Sequence, residues 1–159
     1  MKNSLVAAIA FLWLSLFSGV VAAQVVLTVE RDGAPEIARS FTLAELKAMP
    51  QFEIRTANEF IDGVRRFRGP RISYLLRICN ADGAASVRMI ALNDYEVEVQ
   101  VSEFDKYQPI LALTMDGKEL SVRDKGPIWV IYPMSDFSEL RDPVFNSRLV
   151  WQLDKILYR

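Results

Sequence analysis

QFEIRTANEF, Gln51–Phe60, is the stretch on which the reading of this chain turns. A short run of strand-forming residues ends in Thr56-Ala57-Asn58, small and polar, where a sheet hands over to a loop. Such a loop forms the lip of a binding site. Whether any residue on that lip performs chemistry, or only holds a ligand, is the question the rest of the sequence has to answer.

The surrounding chain narrows the possibilities. Of its 159 residues, the first 23 have the layout of a secretory signal peptide. Lys2 gives a positive start, Leu5–Phe17 is apolar apart from Ser15, and Val21-Ala22-Ala23 offers a cleavage site before Gln24. The apolar run is short for a membrane span of about 20 residues. The expected product is an exported protein of the periplasm, residues 24–159, folding as a single domain large enough to bury a core without disulfides or metals. A formal net charge of −1 lacks the basic surplus of a nucleic-acid groove. The chain has no histidine, which removes the commonest general base and metal ligand. Its one cysteine, Cys79, has no intramolecular partner, and with Tyr74, Leu75 and Ile78 it falls on an apolar helical face.

Local signals describe a strand-rich α+β chain with two or three short helices. VVLTVER (Val25–Arg31) reads as a strand, followed by a turn at Gly33 and Pro35. SFTLAELKAMP (Ser40–Pro50) reads as a short helix, with Thr42 and Glu45 as a capping box and Phe41 and Leu46 as a hydrophobic staple. Gly69-Pro70 is a turn, and a helix is expected from Ile72 to Cys79. SVRMIAL and YEVEVQV form two strands around Asn93-Asp94, with Val97, Val99 and Val101 on one face. Asp116-Gly117 is a hairpin turn. GPIWVIYP (Gly126–Pro133) is a strand, while the C-terminal NSRLVWQLDKILYR fits helix and strand equally.

Three loops combine groups that recognise ligands. Thr56-Ala57-Asn58 is followed by Arg65, Arg66, Arg68 and Arg71, which form either a solvated face or an anion clamp. Asn93-Asp94-Tyr95 needs no role beyond its turn. The segment Gly126–Trp151 gathers Trp129, Tyr132, Asp136, Asn146, Arg148 and Trp151, the parts that bind flat heteroaromatic rings. An aromatic core strand followed by a charged loop would account for the same residues.

The order of these segments resembles a known family. A strand ending in TAN, then FRGPRISYLL, ALNDYEVEV, ILALTMDGKEL, KGPIWVIYP and NSRLVWQL is similar to the oxidoreductase molybdopterin-binding domain, the sulfite oxidase fold, from about Phe41 to the C-terminus. That resemblance implies a mixed, strand-rich α+β fold. In the catalytic members the loop reads Cys-Ala-Gly-Asn, and its cysteine thiolate ligates molybdenum. Here Thr56 stands at that position and Asn58 is kept. A threonine hydroxyl is hard and neutral and cannot replace a soft thiolate. Trp129 stands where the enzymes carry an arginine.

With those departures the chain resembles the small periplasmic pterin-binding proteins of PruR type. The resemblance implies a non-catalytic sensor, with no catalytic residues and no metal ligands. It would bind a pterin and regulate an inner-membrane diguanylate cyclase or phosphodiesterase, an enzyme of cyclic-di-GMP metabolism, through that enzyme's periplasmic domain. On this reading the pterin stacks on Trp129 or Tyr132. Asn58 and an acid such as Asp94 or Asp136 read its edge, and Arg68, Arg148 or both face its polar side chain. Tyr95, Asn146 and Trp151 complete the expected set. The alternatives are a periplasmic oxidoreductase that carries molybdopterin without the thiolate, and an interaction protein with an empty pocket.

Overall fold

The first and last strands of the described chain lie side by side. The computed structural model describes residues 24–159, so the expected signal peptide, residues 1–23, lies outside the described residues. β1 (Val25–Arg31) runs parallel to β11 (Leu153–Tyr158), with Val29 opposite Ile156. The ambiguous C-terminus is thus a strand. Leu153 and Ile156 point into the core, and β11 is hydrogen-bonded on both sides, to β1 and to β5 (Ser86–Ala91). With β2 (Ala34–Thr42) and β6 (Glu96–Gln100) at its edges, this sheet has the order β2-β1-β11-β5-β6.

Mixed α+β structure is the outcome, with sheet dominating at 40% strand against 24% helix. Among the described residues no helix is long and apolar enough to cross a membrane. The capping box is formed as expected: Thr42 caps α1 (Leu43–Ala48), accepting from Glu45 N at 3.2 Å, while Thr42 N donates to Glu45 Oε2 at 2.7 Å. Two local readings are corrected. Pro35, expected in a turn with Gly33, lies within β2, which runs on to the cap residue Thr42; this edge strand is almost wholly exposed, so it carries no alternation, and Pro35 costs nothing at an edge. Val101 opens a helix, α3 (Val101–Tyr107), whose buried Val101, Phe104 and Tyr107 recur at helical spacing.

The other strands build a second, smaller core. β3 (Phe52–Thr56) and β4 (Arg65–Gly69) form a hairpin that β8 (Thr114–Met115) and β9 (Lys118–Glu119) extend. Beside it, β7 (Ile110–Ala112) pairs antiparallel with β10 (Trp129–Ile131). Every residue of these two strands is buried, because the pair lies between two cores. Their period of two deals Ile110, Ala112, Trp129 and Ile131 to the small core with Ile54 and Phe67. Leu111, Leu113, Val130 and Tyr132 go to the main core, with α2 (Ile72–Ile78), α3 and the large sheet.

β4 and β7 meet backbone to backbone at Gly69. Leu111 N donates to Pro70 O at 2.8 Å and Leu113 N to Arg68 O at 2.9 Å. A Cβ on Gly69 would stand inside the Leu111 carbonyl group. Gly69→Ala is therefore expected to cost about 3 kcal/mol or more in urea unfolding. Gly83→Ala, whose Cβ meets nothing, should stay within about 0.5 kcal/mol of wild type.

Candidate functional site

The opening question begins to resolve at Thr56. Its side chain is completely buried at the end of β3, where it meets the turn that follows β10. Ser135 N donates to Thr56 Oγ1 at 3.1 Å, and Ala57 N donates to Ser135 Oγ at 3.1 Å. The Thr56 hydroxyl proton has Ala57 O at 3.1 Å and Ser135 Oγ at 3.3 Å within reach. The hydroxyl thus joins two loops.

Two adjoining cavities open beside this joint. One, of about 250 Å³, is lined by Phe60, Ala91, Asn93, Tyr95, Ser147, Leu149, Val150 and Trp151. The Phe60 and Trp151 rings meet edge to face, 5.0 Å apart at 79°, and form an aromatic corner. Tyr95 OH donates to Ser147 O at 3.0 Å, closing the cavity rim between the β5–β6 turn and the last loop. The other, of about 470 Å³, is lined by Ala57, Asn58, Met134, Ser135, Leu140, Arg141 and Pro143. Glu59 and Asn146 line both. Among the described residues the Asn58 Nδ2 group, on a residue that lines the second cavity, is buried without a hydrogen-bond partner. An unpaired buried amide donor costs about 1–3 kcal/mol, so this group is suited to an acceptor held in the cavity, a water or a ligand.

Of the expected ligand residues, Asn58, Tyr95, Asn146 and Trp151 come together on these walls. Asp94 sits at the tip of the β5–β6 turn with φ +63° and lines neither cavity. Asp136 is exposed on the turn after β10 and also lines neither. Arg68 is exposed on the outer face of β4, opposite Glu53 of β3. Nearby, Arg65 pairs with Asp116 at 3.2 Å and Arg71 lies 4.0 Å over the Phe52 ring, so the arginine run serves the surface of the sheet.

The expectation that Trp129 or Tyr132 is a stacking plate is corrected. Both rings are fully buried. Trp129 packs edge-on against Phe67 at 5.4 Å and donates from Nε1 to Leu149 O at 3.1 Å. Tyr132 donates to Glu103 Oε1 at 2.8 Å, and the same oxygen takes Arg148 Nε at 3.3 Å. Arg148 is therefore committed to an internal ion pair and lines neither cavity. The strand "WVIY" carries no polar residue, the pattern of a strand buried on both faces. That signal, together with the missing alternation, distinguishes its rings from surface plates. Glu59 and Phe60 were absent from the expected set although they directly follow Asn58; nothing in a polar loop sequence shows which of its residues will line a cavity.

These residues do not fit a molybdenum held by a thiolate. The Thr56 hydroxyl is engaged in the Ser135 joint, and Cys79 caps α2 beside a different groove lined by Val29, Glu36–Arg39 and Tyr158. Burial pushes the Cys79 thiol up, away from the thiolate form a soft metal needs. Among the described residues no group of three or more His, Cys, Asp and Glu side chains is placed to hold a metal ion.

Two tests follow from this geometry. Thr56→Val should lose about 1–3 kcal/mol in urea unfolding, and Thr56→Ser should recover most of it; a neutral Thr56→Val would contradict the joint. Burial, with the Glu103 carboxylate beside it, raises the Tyr132 phenol well above its ordinary value of 10.0. The stability linked to this shift is complete below pH 10.0 and is lost as pH rises toward the folded value. In pH-dependent unfolding, Tyr132→Phe should therefore flatten the alkaline decline above that point.

No family model matches the chain, and no curated protein matches it.

Proposed function

We propose that this chain is an exported, non-catalytic binding protein for a flat N-heteroaromatic ligand of the pterin class, built on a fold of the sulfite oxidase type. One observation carries the ligand: the Trp151–Phe60 corner walls a cavity whose polar lining residues include Asn93, Asn146 and Glu59. A ring stacks on Trp151, which is partly exposed on the wall and forms the aromatic corner with Phe60; Tyr95, on the same wall, is tied by its hydroxyl to Ser147 O at the rim. Glu59 is exposed and lines both cavities, so it takes the edge-reading role first given to Asp94 or Asp136. A carboxylate accepting two N–H bonds suits an aminopyrimidine edge.

The rest of the proposal comes from the resemblance in segment order. In the periplasm the protein serves as a sensor, regulating an inner-membrane diguanylate cyclase or phosphodiesterase through that enzyme's periplasmic domain. The engaged Thr56 hydroxyl and the lack of histidine support a holder over an enzyme.

The protein purified from the periplasm and denatured should release a stoichiometric pterin, identified by fluorescence and mass spectrometry, without molybdenum in the same sample. Molybdenum at comparable occupancy would overturn the proposal. Trp151→Ala should weaken pterin binding by roughly tenfold or more, the usual size of a lost stacking contact. Unchanged affinity in a variant that unfolds at the wild-type temperature would remove Trp151 from the site.

A further inference from the structure

The two cavities differ in chemistry, and the difference describes a ligand with two parts. Phe60, Leu149, Val150 and Trp151 make the smaller one largely apolar. Two of the residues that line the larger one, Asn58 and the exposed Arg141, carry donors without partners among the described residues. Asn58 Oδ1 accepts from Phe60 N at 2.9 Å, which fixes the amide's orientation, since the reversed amide would set donor against donor. The Nδ2 hydrogens are then the end left over, buried and unpaired. Arg141 lines the same cavity and takes part in none of the ion pairs among the described residues. Because Glu59 and Asn146 line both spaces, one molecule can occupy them together.

We infer that the site is bipartite: the flat ring fills the apolar cavity, and a side chain bearing hydrogen-bond-accepting oxygens extends into the polar one, where Asn58 Nδ2 and Arg141 donate to it. This deepens the pterin reading above and rests on it. Hydroxyl, carboxylate and phosphate oxygens all satisfy these donors. A hydrocarbon tail would leave the Asn58 amide unpaired, and a cationic tail would meet the Arg141 guanidinium. The side chain's recognition thereby moves from Arg68 and Arg148 to groups that the fold leaves free.

The test titrates the protein with 6-methylpterin, neopterin and neopterin monophosphate, which share a ring and differ in the tail. Neopterin should bind roughly tenfold tighter than 6-methylpterin, the usual effect of pairing a buried donor. A further gain for the monophosphate would identify an anionic tail, and no gain a hydroxylated one; both outcomes support two compartments. Asn58→Asp keeps the oxygen that accepts from Phe60 and replaces the free donor by a carboxylate oxygen. Arg141→Gln removes the cation. Each should bring the ratio of neopterin to 6-methylpterin affinity down toward one. Equal affinities in the wild type, or ratios unmoved in both variants, would overturn the inference while leaving ring binding intact. Failure of all three compounds to bind would overturn the pterin reading itself, and the bipartite site with it.

Discussion

The hydroxyl of Thr56 is the constraint around which the candidate site is arranged. It is buried at the end of β3 and holds Ser135 N, while Ser135 holds Ala57 N in return. That reciprocal pair fixes the loop after β3 against the loop after β10, and both loops supply walls of the larger cavity. A group in such a position is already satisfied by the chain. It lacks the softness of a thiolate towards molybdenum, and its structural contribution is to hold two surfaces at a fixed separation.

Behind that joint stands the doubly buried pair β7–β10. Because Trp129 and Ile131 belong to one core and Val130 and Tyr132 to the other, the strand that leads into the site cannot turn without disturbing both. The Glu103 carboxylate adds a second restraint, joining Tyr132 of this strand to Arg148 of the last loop from its place on α3. Removing either donor would leave a poorly solvated carboxylate short of partners. The aromatic and guanidinium groups that look like ligand contacts in the sequence are thus largely the frame that fixes the contacts.

Much of the fold was legible because its signals are local. The capping box at Thr42 and Glu45, the Asp116-Gly117 turn and the Asn93-Asp94 turn each depend on a few neighbouring residues, and each is where the sequence placed it. β2 was illegible because an exposed edge strand has no buried face to impose a period, and α3 because Val101 continues the valine alternation of β6 by one residue before the helix turns it. At the site, Asn146 and Trp151 were legible by type. The place of Glu59 on both cavity walls and the burial of Trp129 were not, since each depends on how distant elements come together. For Trp129 the covering element is the β3–β4 hairpin, through Phe67.

A ligand held here would be separated from solvent by little more than one loop. The segment from Pro133 to Val150 lines both cavities with Met134, Leu140, Asn146 and Leu149, and it exposes Asp136, Asp142 and Val144 outward. It is tied down at discrete points: Ser135 to Thr56, Glu139 to Lys106, Ser147 to Tyr95, and Val150 to Val130. The Lys106–Glu139 pair is exposed and contributes little, so the stretch between Ser135 and Ser147 is held mainly by its buried Leu140, by Phe137 and Phe145 packed edge-on against Tyr107, and by its own short helical turns. A ligand that engages Arg141 and Asn146 adds restraints between those anchors. In the proposed sensor, occupancy would therefore be expressed in the outer surface of this loop, because the residues that meet the ligand and those that meet solvent are neighbours on one backbone.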